Sequence, residues 1–218
     1  LRFVASRIGM ALPTLLIVAL AVFILVRLIP GDPAALMLGD SADAASLAAL
    51  REQLGLNASW PTQFAIWAGH VLQGDLGQSI ANRQPVMSLI LDRFAVSAQI
   101  VLPAVVLATL VAVPAGMFAA WRQGRMADLA LVAGATLLLS LPAFWMGLLL
   151  LLLFALKLGW FPVVGFVAFS ENPGRALLYL VLPVATLLLH EIGVILRMTR
   201  ASTLEVLHLD YITHARAK

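Results

Sequence analysis

Four long apolar stretches constrain this chain more than any other feature of its sequence. Three of them, 8–26, 94–120 and 129–156, contain no Asp, Glu, Lys or Arg, and the fourth, 176–196, is interrupted only by His190 and Glu191. A helix needs about 20 apolar residues to cross a bilayer. Each stretch is therefore predicted to be a membrane span, and the chain is expected to be an all-α, polytopic membrane protein.

The composition supports this interpretation and excludes several other classes of protein. The chain is 62% hydrophobic and 11% charged, whereas soluble domains carry about 25% charged residues. It has no cysteine, which excludes disulfides and cysteine-ligated metal sites. It has no basic, aromatic-interleaved domain of the kind that binds nucleic acid.

The apolar stretches divide the chain, as a single partial membrane domain over 1–218, into alternating spans and connecting segments. These are span 1 (8–29), a long outer loop with short helices (30–93), span 2 (94–120), span 3 (129–156), an outer loop (157–175), span 4 (176–196) and a polar segment (197–218). The basic flanks of the spans fall on one side: Arg2 and Arg7, Arg122 and Arg125, and Arg197, Arg200, Arg216 and Lys218. The positive-inside rule places that side, and the N-terminus, in the cytoplasm.

The long outer loop is predicted to hold local structure. Leucines at 47, 50 and 54 indicate a short helix ending at Gly55, and a second helix is predicted over 60–72. Asp32, in a Gly-Asp-Pro turn, is interpreted as the cap of the helix after it rather than as an ion contact. In span 3, Pro142 predicts a bend, although membrane helices also tolerate proline without one.

The sequence offers no catalytic, cofactor or metal site. It lacks a phosphate-binding Gly-x-x-x-x-Gly-Lys loop and a His-Glu-x-x-His motif. Glu191 is the one acidic residue inside a predicted span, a position at which ionisable groups tend to be functional. Glu191 and His190 are therefore candidates for a pathway or subunit contact, with a paired structural carboxylate as the alternative for Glu191. An ion-coupled carrier with this pair as a proton relay is an alternative function.

The polar segment at the end of the chain is patterned like a helix. From Ser202 onwards, Leu204, Leu207 and Tyr211 recur at helical spacing. One interpretation is an amphipathic helix on the inner leaflet. Glu205 and Asp210 interrupt its basic face, which favours a protein partner instead.

A set of motifs in a fixed order resembles the permease subunits of bacterial ATP-binding-cassette importers for dipeptides, oligopeptides and nickel. The motifs span nearly the whole chain: Ile29-Pro-Gly-Asp-Pro-Ala34, Gly74-Asp-Leu-Gly-Gln-Ser79, Ser140-Leu-Pro-Ala-Phe-Trp145, Arg197-Met-Thr-Arg-Ala-Ser-Thr-Leu-Glu-Val-Leu207 and Asp210-Tyr-Ile-Thr-His-Ala-Arg-Ala-Lys218. The resemblance implies the transmembrane domain of a type I importer, with four spans present of six expected. It also implies that the printed chain stops inside the cytoplasmic coupling loop.

The resemblance further implies a non-enzymatic transport subunit of the bacterial inner membrane. It would form a path for di- and oligopeptides with a second permease, receive substrate from an extracytoplasmic binding protein, and leave ATP hydrolysis to two ATP-binding subunits. Nickel or another small solute is the alternative substrate. The residues that match the family's ATPase-coupling motif are Glu205, Asp210, Tyr211, Ala215, Arg216 and Ala217.

Overall fold

Helices are the regular secondary structure of the part of the chain that the structure describes. The computed structural model describes residues 2–39, 43–79 and 81–209. Within these ranges the only β-type pairing is an isolated bridge between Gln78 and Pro85. The helices are α1 (Arg2–Leu28), α2 (Pro33–Leu38), α3 (Ala44–Gln53), α4 (Trp60–Leu72), α5 (Val86–Trp121), α6 (Met126–Ser140), α7 (Ala143–Leu150), which continues as a π-helix (Leu151–Lys157), and α8 (Pro173–Leu207).

Several of these helices are long and apolar enough to cross a membrane. Three qualify alone, Gly9–Leu28, Val86–Trp121 and Pro173–Leu207, and the pair Met126–Ser140 and Ala143–Lys157 makes a fourth if it is one broken span. The 36 residues of α5 would be about 54 Å long as a straight helix. Because the hydrocarbon core is about 30 Å thick, α5 must tilt or extend beyond it.

The chain divides into two compact units, Leu1–Asp92 and Arg93–Lys218, and the division falls inside α5. In the first unit, α4 packs against the end of α1. Phe23 of α1 is 7% exposed and meets the ring of Phe64 edge-on, with 5.2 Å between the ring centroids. The Arg27 guanidinium lies over the Phe23 ring and donates to Oε1 of Gln63 at 2.7 and 2.9 Å.

The short helices of the first unit agree with several of the ends that the sequence predicts. α4 has the bounds that the sequence indicates, and α3 ends at Gln53, with Leu54 as its C-cap and Gly55 following at φ 65°. Asp32 caps α2, because its Oδ1 accepts from the Ala34 amide at 3.1 Å. The same carboxylate pairs with Arg51 at 2.7 Å, which joins α2 to α3.

In the second unit the helix interrupted by Pro142 is sharply bent. α6 ends at Ser140, Leu141 is extended, and the helices on either side meet at 94°. Pro142 lacks an amide hydrogen and restricts the residue before it to extended backbone, which explains the break. The bend predicted from Ser140-Leu-Pro142 is therefore present.

The last helix differs from the sequence expectation at its C-terminal end. Span 4 is predicted over 176–196 with a separate helix from Ser202, but α8 continues without interruption to Leu207. No glycine or proline occurs between Ile195 and Leu207, so nothing in this stretch ends the helix. Residues 210–218, which include most of the predicted coupling motif, lie outside the described residues.

The interior of the second unit is made of small side chains. Ala112, Ala135 and Leu196, from α5, α6 and α8, form its buried cluster. Large apolar side chains point outward instead, for example Leu110 at 65% and Leu137 at 64% exposed. An exterior of this kind suits contact with lipid or with other membrane helices, and is rare on soluble proteins.

Candidate functional site

One face of α5 carries small buried residues, and α8 approaches this face closely at Gly116. Five of them are fully buried or nearly so: Ala104, Ala108, Ala112, Gly116 and Ala119. A Cβ added at Gly116 would lie 2.8 Å from the carbonyl oxygen of Leu196 and 2.8 Å from Cβ of Thr199. The α5 and α8 backbones are therefore in direct contact here, an arrangement that small residues permit between membrane helices.

At the same level, a buried ion pair joins α6 to α8. Arg200 donates from Nε to Oδ1 of Asp128 at 2.6 Å and from a terminal nitrogen to Oδ2 at 2.8 Å. The amide of Gly124, in the turn between α5 and α6, donates to the same Oδ2 at 3.0 Å. The Asp128 side chain is 5% exposed and the Arg200 side chain 26%. A bidentate pair of this kind fixes orientation as well as distance.

The turn before Asp128 carries a second arginine in a different environment. The Arg122 guanidinium lies over the rings of Trp121, at 5.0 Å, and Phe118, at 5.7 Å from their centroids. Its Nε is buried and has no hydrogen-bond partner among the described residues. Arg122 therefore contacts aromatic faces, whereas the carboxylate of Asp128 is engaged by Arg200 and Gly124.

The predicted coupling residues are only partly placed by the structure. Glu205 lies in the last turn of α8 and is exposed. His208 caps the helix, and its Nδ1 lies 2.6 Å from the carbonyl oxygen of Leu204. The remaining predicted residues, Asp210, Tyr211, Ala215, Arg216 and Ala217, lie outside the described residues. Glu205 follows Arg200 by five residues on the same helix, so the ion pair lies about 7.5 Å along the axis from it.

His190 and Glu191 lie in the middle of α8 and are half-buried. Nδ1 of His190 is buried without a hydrogen-bond partner in the described part of the chain. Glu191 lies about 160° around the helix from Gly193, and Gly193 is the point at which α8 contacts Leu139 and Ala135 of α6. Glu191 therefore lies on the side of α8 away from α6. His190 precedes it by one residue and lies about 100° around the helix from it.

Open grooves flank the C-terminal half of α8. The larger has a volume of about 550 Å³ and lies between α5 and α8, where Met117, Met198 and Ser202 are among its lining residues. Among the described residues, no group of three His, Asp or Glu side chains could hold a metal ion. The arrangement provides helix contacts and an ion pair, and it suits transmission of movement between helices.

Sequence reasoning did not identify Asp128 and Arg200 as a pair. They are separated by 72 residues, and a pairing at that distance has no local periodicity. A signal was nevertheless present, because each residue adjoins a long apolar stretch. Ionisable residues within membrane segments commonly pair with one another, so two oppositely charged residues at the borders of such segments are candidates for a pair.

Comparison with known proteins identifies relatives over the whole length of the chain. Residues 1–101 match the family model described as binding-protein-dependent transport system membrane component, N-terminal, and residues 112–218 match binding-protein-dependent transport system inner membrane component. A Brucella suis protein described as a peptide transport system permease is 38% identical over 215 residues, which are 99% of this chain and 68% of that protein.

Two further relatives show similar agreement. A Sinorhizobium fredii protein described as a peptide ABC transporter permease is 37% identical over 99% of this chain and 69% of its own length. A Salmonella typhi protein described as a glutathione transport system permease is 39% identical over 100% of this chain and 69% of its own length.

Proposed function

The chain belongs to the family of binding-protein-dependent transport system membrane components, and we propose that it forms, with a second permease subunit, the path by which an ATP-driven importer takes up di- and oligopeptides. As a member of this family it is an integral membrane permease of an ATP-binding-cassette importer. Like the relatives that it matches, it is a permease subunit of a transporter complex.

Peptides are supported as the substrate by the transport functions that the relatives are described as having. Two of them are described as peptide permeases, and the third as a permease for glutathione, which is itself a tripeptide. All three match at least 99% of this chain at similar identity. Peptides are therefore the substrate class common to these names.

Uptake measurements on the complete transporter test this proposal. The full-length permease, with its partner subunits, is reconstituted into proteoliposomes and supplied with labelled trialanine, glutathione or Ni²⁺, with and without ATP. We expect ATP-dependent accumulation of the peptides and none of Ni²⁺. Uptake of Ni²⁺ alone would assign the chain to the nickel branch, and ATP-independent uptake driven by a pH gradient would favour an ion-coupled carrier.

We assign the contact with two ATP-binding subunits to the segment that begins at Glu205. Glu205 is exposed at the end of an unbroken helix, and Asp210, Tyr211, Ala215, Arg216 and Ala217 continue the same motif. Glu205→Ala should weaken retention of the ATP-binding subunits during purification. Glu171→Ala, at an exposed glutamate just before α8, is the matched control and should retain them. Equal retention in both variants would contradict the assignment.

We assign His190 and Glu191 to the transport pathway or to the contact with the second permease. The support is their mid-helix position and the unpartnered Nδ1 of His190, since buried polar atoms ordinarily have hydrogen-bond partners. Glu191→Gln should change the KM for peptide if the residue lines the pathway, and should weaken permease pairing if it lies at the subunit contact. An unchanged KM together with unchanged pairing would remove Glu191 from both roles.

The basic flanks support an orientation in the bacterial inner membrane with the N-terminus in the cytoplasm. The substrate-binding protein would then meet the side that carries the loop 30–93. Residues 1–218 contain no cysteine, so single cysteines at two exposed positions, Asn57 and Gln123, give a direct test once any cysteine elsewhere in the full-length permease has been replaced. A membrane-impermeant maleimide should label Asn57→Cys, but not Gln123→Cys, in intact spheroplasts. The reverse pattern would invert the topology.

A further inference from the structure

We propose that Asp128 and Arg200 are positioning residues for coupled transport, which hold the end of α8 and the α5–α6 turn together as one moving block. The inference rests on the proposed function, because the movement to be transmitted is the one that an ATP-driven importer receives at its coupling segment. It concerns two residues that lie outside the motif assigned to ATPase contact.

The first step is that the carboxylate of Asp128 is fully engaged. Both of its oxygens accept from Arg200, and Oδ2 also accepts from the amide of Gly124. The pair therefore connects three parts of the chain: the α5–α6 turn, the first turn of α6 and the C-terminal part of α8. Because the bond is bidentate, a rotation of α8 about its axis would break it as readily as a translation would.

The second step is that the backbone contact lies beside the ion pair. At Gly116, the atoms nearest to an added Cβ belong to Leu196, Thr199 and Arg200 of α8, and the Arg200 amide nitrogen is 3.2 Å away. The same stretch of α8 is thus held against α5 by close packing and against α6 by the ion pair. Densely packed interfaces of this kind move between discrete arrangements and do not deform gradually.

The third step is the position of this block along α8. Glu205 follows Arg200 by five residues, and α8 is unbroken between them. A displacement applied at the coupling segment therefore reaches Arg200 through a rigid helix. On the other side of the block, α6 ends at Ser140, before the 94° break. The break is where a movement of α6 could be absorbed, because a few residues at the end of an element commonly serve as a hinge.

A merely structural role would have a different signature. If the pair only stabilised the fold, its loss would reduce the amount of assembled transporter, and the remaining complexes would transport normally. If the pair transmits movement, assembled complexes would hydrolyse ATP but move less peptide for each ATP. The ratio of peptide transported to ATP hydrolysed in assembled complexes separates the two roles.

The test uses the full-length permease in its complete transporter, reconstituted with labelled trialanine and ATP. Asp128→Asn and Arg200→Lys should each lower the number of peptides transported per ATP by ~2–30-fold, the range expected for residues that carry coupling. The exchange Asp128→Arg with Arg200→Asp should recover part of the loss. Asp32→Asn is the matched control, because it breaks an exposed ion pair in the other unit, and it should leave the ratio unchanged.

An unchanged ratio in assembled Asp128→Asn and Arg200→Lys complexes would overturn the inference. So would a loss of assembly with normal coupling in the complexes that remain. The proposed function fails in a separate way, if the unaltered transporter shows no ATP-dependent peptide uptake at all.

A distance measurement tests whether the end of α8 and the α5–α6 turn move together, and it leaves the ion pair unaltered. Spin labels on Gln123→Cys and Ala201→Cys, both exposed, report the separation of the α5–α6 turn from α8 during the ATP cycle. The inference requires that this separation stays constant between the nucleotide-free and ATP-bound states. A change between the two states would overturn it, even if the ion-pair variants failed to fold.

Discussion

Replacing Gly116 with alanine should destabilise the contact between α5 and α8. The added Cβ would lie 2.8 Å from the Leu196 carbonyl oxygen, 2.8 Å from Cβ of Thr199 and 3.2 Å from the Arg200 amide nitrogen. Two of these atoms belong to the α8 backbone, and the third is fixed to it directly. No rotamer change can relieve the overlap, so the helices themselves must separate.

The size of the effect follows from the distances. Carbon atoms in contact prefer separations of about 3.5–4.0 Å, so the helices must move apart by roughly 0.7–1.2 Å at this level. Overpacking of this kind typically costs about 1–3 kcal/mol. Alanine offsets up to about 1 kcal/mol of this through its higher helix propensity. The net loss is then roughly 0–2 kcal/mol, and the loss relative to a glycine-to-alanine change without the overlap is about 1–3 kcal/mol.

Gly134 of α6 provides the control. A Cβ at that position would meet no atom within 4 Å, so Gly134→Ala gains the helix propensity without the overlap. The two variants of the full-length permease can be compared by unfolding in mixed micelles with increasing SDS, followed by tryptophan fluorescence. If Gly116→Ala is as stable as Gly134→Ala, or more stable, then α5 and α8 do not approach each other closely at Gly116.

Three other changes test separate contacts. Gly193→Ala should destabilise the α6–α8 contact by less than Gly116→Ala in the same titration, since one obstructing group is a leucine side chain that can move. Gln63→Leu should leave the Arg27 guanidinium and two backbone carbonyls without their partner, at a cost of about 1–3 kcal/mol; faster proteolysis between α3 and α4 would reveal it. Hydrogen bonds from Ser46 hold the pKa of the exposed Asp43 carboxyl below its usual value, so its stabilisation of α3 should be complete above about pH 4 and lost as the pH falls through the lowered pKa. The protection of α3 amides, measured as the exchange rate relative to the intrinsic rate at the same pH, should therefore fall at acid pH in the unaltered protein, and an Asp43→Asn variant should remove that pH dependence.

Features with a local cause could be predicted from the sequence. Uncharged stretches of about 20 residues or more give membrane-length helices unless a proline breaks them, as Pro142 breaks the stretch 129–156. Asp32 caps α2 because its side chain needs only the amide two residues later. The bend at Pro142 follows from the proline ring and the residue before it. Each of these causes acts between residues that are close in the sequence, so a local sequence pattern is enough to predict its effect.

Features with a tertiary cause could not be predicted in this way. The ion pair of Asp128 with Arg200 depends on how α6 packs against α8, and Arg27 finds Gln63 only because α4 returns to the end of α1. The continuation of α8 to Leu207 is an intermediate case. No residue after Leu196 ends the helix, but the change from apolar to polar sequence suggested a boundary. Polarity reports the surroundings of a helix, whereas backbone chemistry decides where it ends.

The contacts that hold the second unit together are those expected in a solvent without a hydrophobic driving force between helices. Lipid is as apolar as leucine, so large apolar side chains gain little from facing one another in a bilayer. The protein accordingly leaves Leu110 and Leu137 exposed and buries mostly alanine and glycine, together with Leu196 and one ion pair, between α5, α6 and α8. Close backbone approach depends on the shape of a few small residues, and the ion pair depends on charge. A substitution that enlarges Gly116 and one that neutralises Asp128 should therefore weaken the same part of the molecule by independent routes, and their combined effect on stability reports how strongly the two contacts are coupled.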